Sequence, residues 1–166
     1  NVLAGSGLVG IVIEAGPNYA RVRSIVDDAS NVSAMMLSTS DTCMVRGDLK
    51  LMADGRLRFE KLPNNDNKIE PGEQVVTSHV SPRFLQGLFI GYVSDIEVDA
   101  NNLTRSGYIT PAVDFSKLQE VLVITTTKKN LLDANNEQEP EDAKPEAPAN
   151  PEDAQAPEDA QDGEGE

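Results

Sequence analysis

The chain has 166 residues, with 28 Asp or Glu against 14 Lys or Arg and a net charge of −14. Residues 133–166 hold 13 of those acids and one base, Lys144, so the body over 1–132 is nearly neutral, with 15 acids and 13 bases. A neutral body lacks the basic footprint of a nucleic-acid binder, an acidic chain is repelled by anionic membrane surfaces, and no run approaches the ~20 apolar residues of a bilayer span.

The chain starts at Asn1 rather than Met, which reads as a fragment of a longer protein. Cys43 is the only cysteine, so no internal disulfide can form, and the absence of Trp leaves the core to Val, Ile, Leu and Met. Residues 1–7 read as a flexible lead-in. Gly5-Ser6-Gly7-Leu8-Val9-Gly10 matches a G-x-G-x-x-G pattern, but it runs into a strand rather than a helix. A pyrophosphate would find no helix N-terminus there. Leu8–Glu14 is rich in Val and Ile, Gly16-Pro17-Asn18 turns the chain, and Tyr19–Val26 alternates, which predicts a first hairpin.

Val32–Leu37 and Cys43–Arg46 follow as strands. Leu49 and Leu51, then Leu57 and Phe59, alternate on either side of Asp54-Gly55, which predicts a second hairpin over Leu49–Leu62. Beyond it, Gln74–Thr77, Leu88–Val93, Ile96–Val98, Gly107–Thr110 and Val121–Thr126 read as strands. Asn64–Asn67, Pro71-Gly72, Gly87, Asn101-Asn102 and Ser106-Gly107 separate them as turns. Helix has little room; Asp114–Gln119 can make one turn, capped by Asp114 or Ser116. The expected class is all-β, a barrel or sandwich of short strands. From Asp133 on there are no aromatic or β-branched residues, and Pro-Glu-Asp-Ala occurs three times, from Pro140, Pro151 and Pro157. Residues 127–166 are expected to be a disordered acidic tail.

Few residues carry chemistry. His79 is the only histidine and follows Ser78, but neighbouring strand positions face opposite ways and no Gly-x-Ser-x-Gly elbow exists. A hydrolase triad is disfavoured, with Asp95, Asp99 and Asp114 as candidate acids. One His and one Cys cannot make a zinc site, so no metal or cofactor is expected. Pro82–Ile90 carries five large apolar side chains. They either fill the core or, at Phe84, Leu85 and Leu88, form an anchor for a protein partner.

Read together, four blocks resemble the extracytoplasmic domain of the rod shape-determining protein MreC family. They are Gly7–Val12 with Gly16–Val22, Leu62-Pro63 with Ile69–Ser78, Gly87–Val93, and Pro111–Leu118 with Glu120–Ile124. The family usually carries glycines between the Thr-Ser and a Phe-Pro, where this chain has His79-Val80-Ser81-Pro82-Arg83-Phe84. The resemblance implies two small β-barrel-like subdomains over 8–126, outside the cytoplasmic membrane. A coiled coil and one membrane helix would precede the lead-in, the coiled coil making a homodimer or higher oligomer. It also implies a non-enzymatic scaffold for wall elongation that binds a penicillin-binding transpeptidase, MreD and the MreB-linked complex. An adaptor of an envelope transport assembly is the alternative, though the sequence leaves no room for that class's helical hairpin. A chymotrypsin-like hydrolase is the remote third.

Overall fold

A computed structural model describes residues 1–5, 7–65, 68–126 and 128. The expected tail, Lys128 apart, lies outside the described residues. Ten strands and one short helix are present among those described. They are β1 (Val2–Ala4), β2 (Gly7–Ala15), β3 (Ala20–Ser24), β4 (Asn31–Met36), β5 (Thr42–Arg46), α1 (Leu49–Ala53), β6 (Leu57–Pro63), β7 (Gln74–Thr77), β8 (Phe89–Val98), β9 (Thr104–Pro111) and β10 (Leu122–Val123), with a 3₁₀ turn at Phe115–Lys117. The strands β4-β5-β6-β9-β8-β7 close into a barrel, and β10-β1-β2-β3 form a separate four-stranded sheet. The all-β class holds, and its two small subdomains are a closed six-stranded barrel and a four-stranded sheet.

Alternation explains the barrel wall. On β4, Val32, Ala34 and Met36 are buried while Asn31, Ser33 and Met35 face outward. The pairing of Ala34 with Thr77 and Met36 with Val75 joins β4 to β7 and closes the ring. Two bulges break the period. In β6 the register shifts between Phe59 and Leu62, with Lys61 at φ 61°, so both apolar side chains stay inside although they are three positions apart. In β8 the shift between Val93 and Asp95 lets one bent strand cover what reads in sequence as two, Leu88–Val93 and Ile96–Val98. Gly107 sits where β8 and β9 close over Phe59. A Cβ there would lie 2.0 Å from the Asp95 carbonyl oxygen and 2.9 Å from the Phe59 ring. Arg105 is buried at the barrel end, where its guanidinium donates to the carbonyls of Pro63 at 3.1 Å and Asn65 at 3.2 Å.

Two expectations are corrected. The Leu49–Leu62 hairpin does not start as a strand, because Leu49–Ala53 is helical. The Asp48 carboxylate accepts from the amides of Lys50 (2.8 Å) and Leu51 (3.2 Å), and Asp28 accepts from Leu49 (2.9 Å), which satisfies the first-turn donors. Asp54-Gly55 is the helix exit, with Gly55 at φ 68°. The chain still reverses, since β5 pairs antiparallel with β6 through Arg46 and Arg58. The second correction concerns the lead-in. Val2–Ala4 is a strand that pairs with β2 on one side and with β10 on the other, Val2 opposite Val123.

Leu8 and Ile25, at the sheet, pack in one buried cluster with Val32, Met36, Phe59 and Ile109 of the barrel. The sheet and the barrel thus share a core. Val2, Val9 and Val113 form a smaller cluster on the other side of the sheet.

Candidate partner-binding surface

The 78–88 loop is built on buried Thr77 at the end of β7. Thr77 Oγ1 donates to the Leu85 carbonyl at 2.5 Å and accepts from the Leu88 amide at 2.8 Å, and its own amide donates to the Leu88 carbonyl at 2.9 Å. Ser81 Oγ accepts from the Phe84 amide at 3.1 Å. Both ends of the described chain grip this loop. The Leu85 amide donates to Asn1 Oδ1 at 3.2 Å, and Lys128 Nζ donates to the carbonyls of His79 at 2.5 Å and Ser81 at 2.7 Å.

This geometry separates the three candidate anchors. Phe84 is only 6% exposed and belongs to the main core, so the expectation of an exposed Phe84 is corrected. The loop folds back through Thr77 and Ser81, and its largest side chain plugs the barrel. Leu88 is half-buried against the same core, and Leu85 is half-buried at the rim. Val80, which sequence reasoning passed over, is 61% exposed on the same loop. Nothing in the local sequence distinguishes Val80 from Phe84, because only the loop's turns decide which side chain points inward.

A groove of about 330 Å³ adjoins the loop, lined by Asn1, Ile11, Val12, Arg83, Val123 and Ile124. It runs between the sheet and the 78–88 loop. Beyond it the β2–β3 hairpin projects with Ile13, Tyr19 and Val22 exposed, its tip held by a Tyr19 hydroxyl to Glu14 hydrogen bond of 2.9 Å and an Arg21–Glu14 pair at 3.1 Å. β3 and β10 are the edges of the sheet. An open edge and an exposed apolar loop are features that protein partners use.

The chemistry-bearing residues stand apart. Ser78 is fully buried and its Oγ accepts from the Val80 amide at 3.2 Å, while His79 is exposed. Cys43 is buried, and burial pushes its thiol up to about 12. Among the described residues no group of three or more His, Cys, Asp or Glu is placed to hold a metal, and no helix is long and apolar enough to cross a membrane.

The family model for "Rod shape-determining protein MreC, barrel core" matches residues 1–125. The cell shape-determining protein MreC of Listeria monocytogenes is 32% identical over 129 residues, covering 74% of this chain and 42% of that protein. A solved structure of MreC from Listeria monocytogenes superposes with a TM-score of 0.64 at 31% identity, covering 72% of this chain and 57% of that one. The MreC of a Helicobacter pylori complex with the penicillin-binding protein PBP2 has the same fold, with a TM-score of 0.57 at 20% identity and coverage of 72% and 73%. The chain spans 24% to 42% of the length of the curated relatives it matches. With three quarters of its length matched to the family's barrel core, the chain belongs to the MreC family of rod shape-determining proteins.

Proposed function

We propose that this barrel and sheet act as a non-catalytic scaffold module of the bacterial wall-elongation machinery. The module sits outside the cytoplasmic membrane and holds a penicillin-binding transpeptidase, with MreD and the MreB-linked complex assembled around the same parent protein. The observation that carries the reading is the family match over residues 1–125. It is supported by the Helicobacter pylori relative, which is known in complex with PBP2. The apolar groups agree, because exposed Val80 and half-buried Leu85 share a loop whose Arg83 borders a groove against the sheet. The non-catalytic part is supported by the buried, hydrogen-bonded Ser78 and the exposed His79, which lack the nucleophile–base geometry of acyl transfer. Anchoring by a membrane helix and dimerisation by a coiled coil belong to the same proposal and follow from the family resemblance.

The test is binding of the purified transpeptidase domain to the chain, read by calorimetry. Val80→Asp with Leu85→Asp is expected to weaken binding about tenfold or more while the melting temperature holds, since an exposed or half-buried rim tolerates charge. Phe84→Ala is the contrast, expected to destabilise the fold by about 3 kcal/mol through the cavity it leaves. Unchanged affinity in the double variant removes the loop from the interface. No binding by the unaltered chain overturns the transpeptidase reading.

A further inference from the structure

On the outer wall of the barrel two hollows share lining residues, and a third lies beside them, the three spanning β4, β5 and β6 as a groove. The first, about 230 Å³, includes Ser33, Met44, Lys61, Ser78 and Val80. The second, about 320 Å³, shares Ser33 and Met44 and adds Asn31, Pro82 and Arg83. The third, about 350 Å³, includes Asp28, Arg46, Lys50, Arg58 and Glu60. The strand registers set them side by side: Ser33 lies opposite Met44, Asn31 opposite Arg46, and Met44 opposite Glu60.

The groove carries five bases, Arg46, Lys50, Arg58, Lys61 and Arg83, against three acids, Asp28, Asp48 and Glu60, an excess of two positive charges. Lys50, Lys61 and Arg83 are exposed and have no ion-pair partner among the described residues. The three carboxylates keep their charge but are directed at groups of the fold itself. Glu60 takes Arg46 at 3.6 Å and Arg58 at 3.1 Å, Asp48 caps α1, and Asp28 accepts from the Leu49 amide. A second carboxylate meeting Arg46 or Arg58 has donors left over, because each guanidinium carries five.

The chain carries an acidic segment that follows, in sequence, a residue held at the groove's edge. Lys128 is held on the His79 and Ser81 carbonyls, between Ser78 and Val80 of the first hollow and Pro82 and Arg83 of the second. The acidic run begins at Asp133 and carries 13 carboxylates against one lysine. At ~3.3 Å per extended residue, Asp133 can reach roughly 17 Å from Lys128 and the later repeats much farther. We propose that this groove is the docking surface for the chain's own acidic segment, residues 133–166. Each Pro-Glu-Asp-Ala repeat places two adjacent carboxylates after a proline that lacks an amide donor, so contact is made by side-chain charge rather than by strand addition. Tethering replaces a weak bimolecular encounter by a local one, and the contact weakens with salt. A segment lying there excludes other acidic partners from the same wall. This docking is a property of the chain alone and stands whether or not a transpeptidase binds.

Zero-length carbodiimide crosslinking of the full chain, mapped by mass spectrometry, tests it. The monomeric product is expected to join acids of 133–166 to Lys50 and Lys61 about fivefold more often than to Lys68 and Lys117, which already have acidic partners. Raising salt from about 20 to about 300 mM is expected to cut that yield about threefold or more. Neutralising the repeats in the full chain (Glu141→Gln, Asp142→Asn, Glu152→Gln, Asp153→Asn, Glu158→Gln, Asp159→Asn) is expected to shift the backbone amide resonances of Arg46, Lys50 and Arg58. Even labelling of all four lysines, or unmoved amides in the neutralised chain, overturns the proposal. Crosslinks to Lys50 and Lys61 found only in a dimeric product also overturn it, since a second copy is then the occupant.

Discussion

Asp99 closes the β8–β9 turn with its carboxylate. Ser106 Oγ and Thr104 Oγ1 each donate to it at 2.5 Å, and these hydrogen bonds, Ser106 first, hold its pKa below the usual carboxylate range. A carboxyl depressed in the folded state adds stability above its unfolded pKa and loses it as pH falls through the folded value. Stability is therefore expected to decline below about pH 4, the ordinary aspartate pKa. Thermal melts of Asp99→Asn against the unaltered chain from neutral pH to about pH 3 should show a smaller acid decline in the variant. An identical decline removes Asp99 as a contributor. Asp114 has the same direction of shift, caused by the Ser116 hydroxyl and amide, so part of the acid slope survives in the single variant.

At the level of elements, the bulges and the close β8–β9 contact shape the barrel more than strand propensity does. Gly107→Ala pushes a methyl into the Asp95 carbonyl and the Phe59 ring. The strands must part, and overpacking of this kind costs about 1–3 kcal/mol, to be read from chemical denaturation. A neutral result shows that β8 yields at its bulge. The misread hairpin belongs at this scale as well. Leu49 and Leu51 lie two apart, which fits a strand, yet a run this short does not separate strand from helix by period. The signal that decides it, Asp48 before Leu49, is visible in the sequence as a helix cap. The second donor-satisfying carboxylate, Asp28, is distant in sequence and came only with the fold.

For the whole molecule, the shared core makes sheet and barrel one cooperative unit. Leu8 is fully buried in the cluster that contains Phe59 and Ile109. Leu8→Ala is expected to cost about 3–4 kcal/mol and to lower one unfolding transition rather than split it. Two transitions in a calorimetric scan show that the sheet melts on its own.

Alternation and turn chemistry, both local, are enough for the sequence by itself to determine the all-β class, the strand at Gln74–Thr77, the turn at Asn101-Asn102 and the capped turn at Asp114, while four ordered blocks of residues carry the resemblance to the family. The charge division at residue 133 is equally plain. Tertiary structure decided what depends on distant partners. Val2 becomes a strand residue because Val123 and Gly10 flank it. Phe84 goes inside because Thr77 and Ser81 fold the loop over the barrel, leaving Val80 outside. The cationic groove exists only once β4, β5 and β6 stand side by side, since ring closure brings together side chains that no sequence window contains.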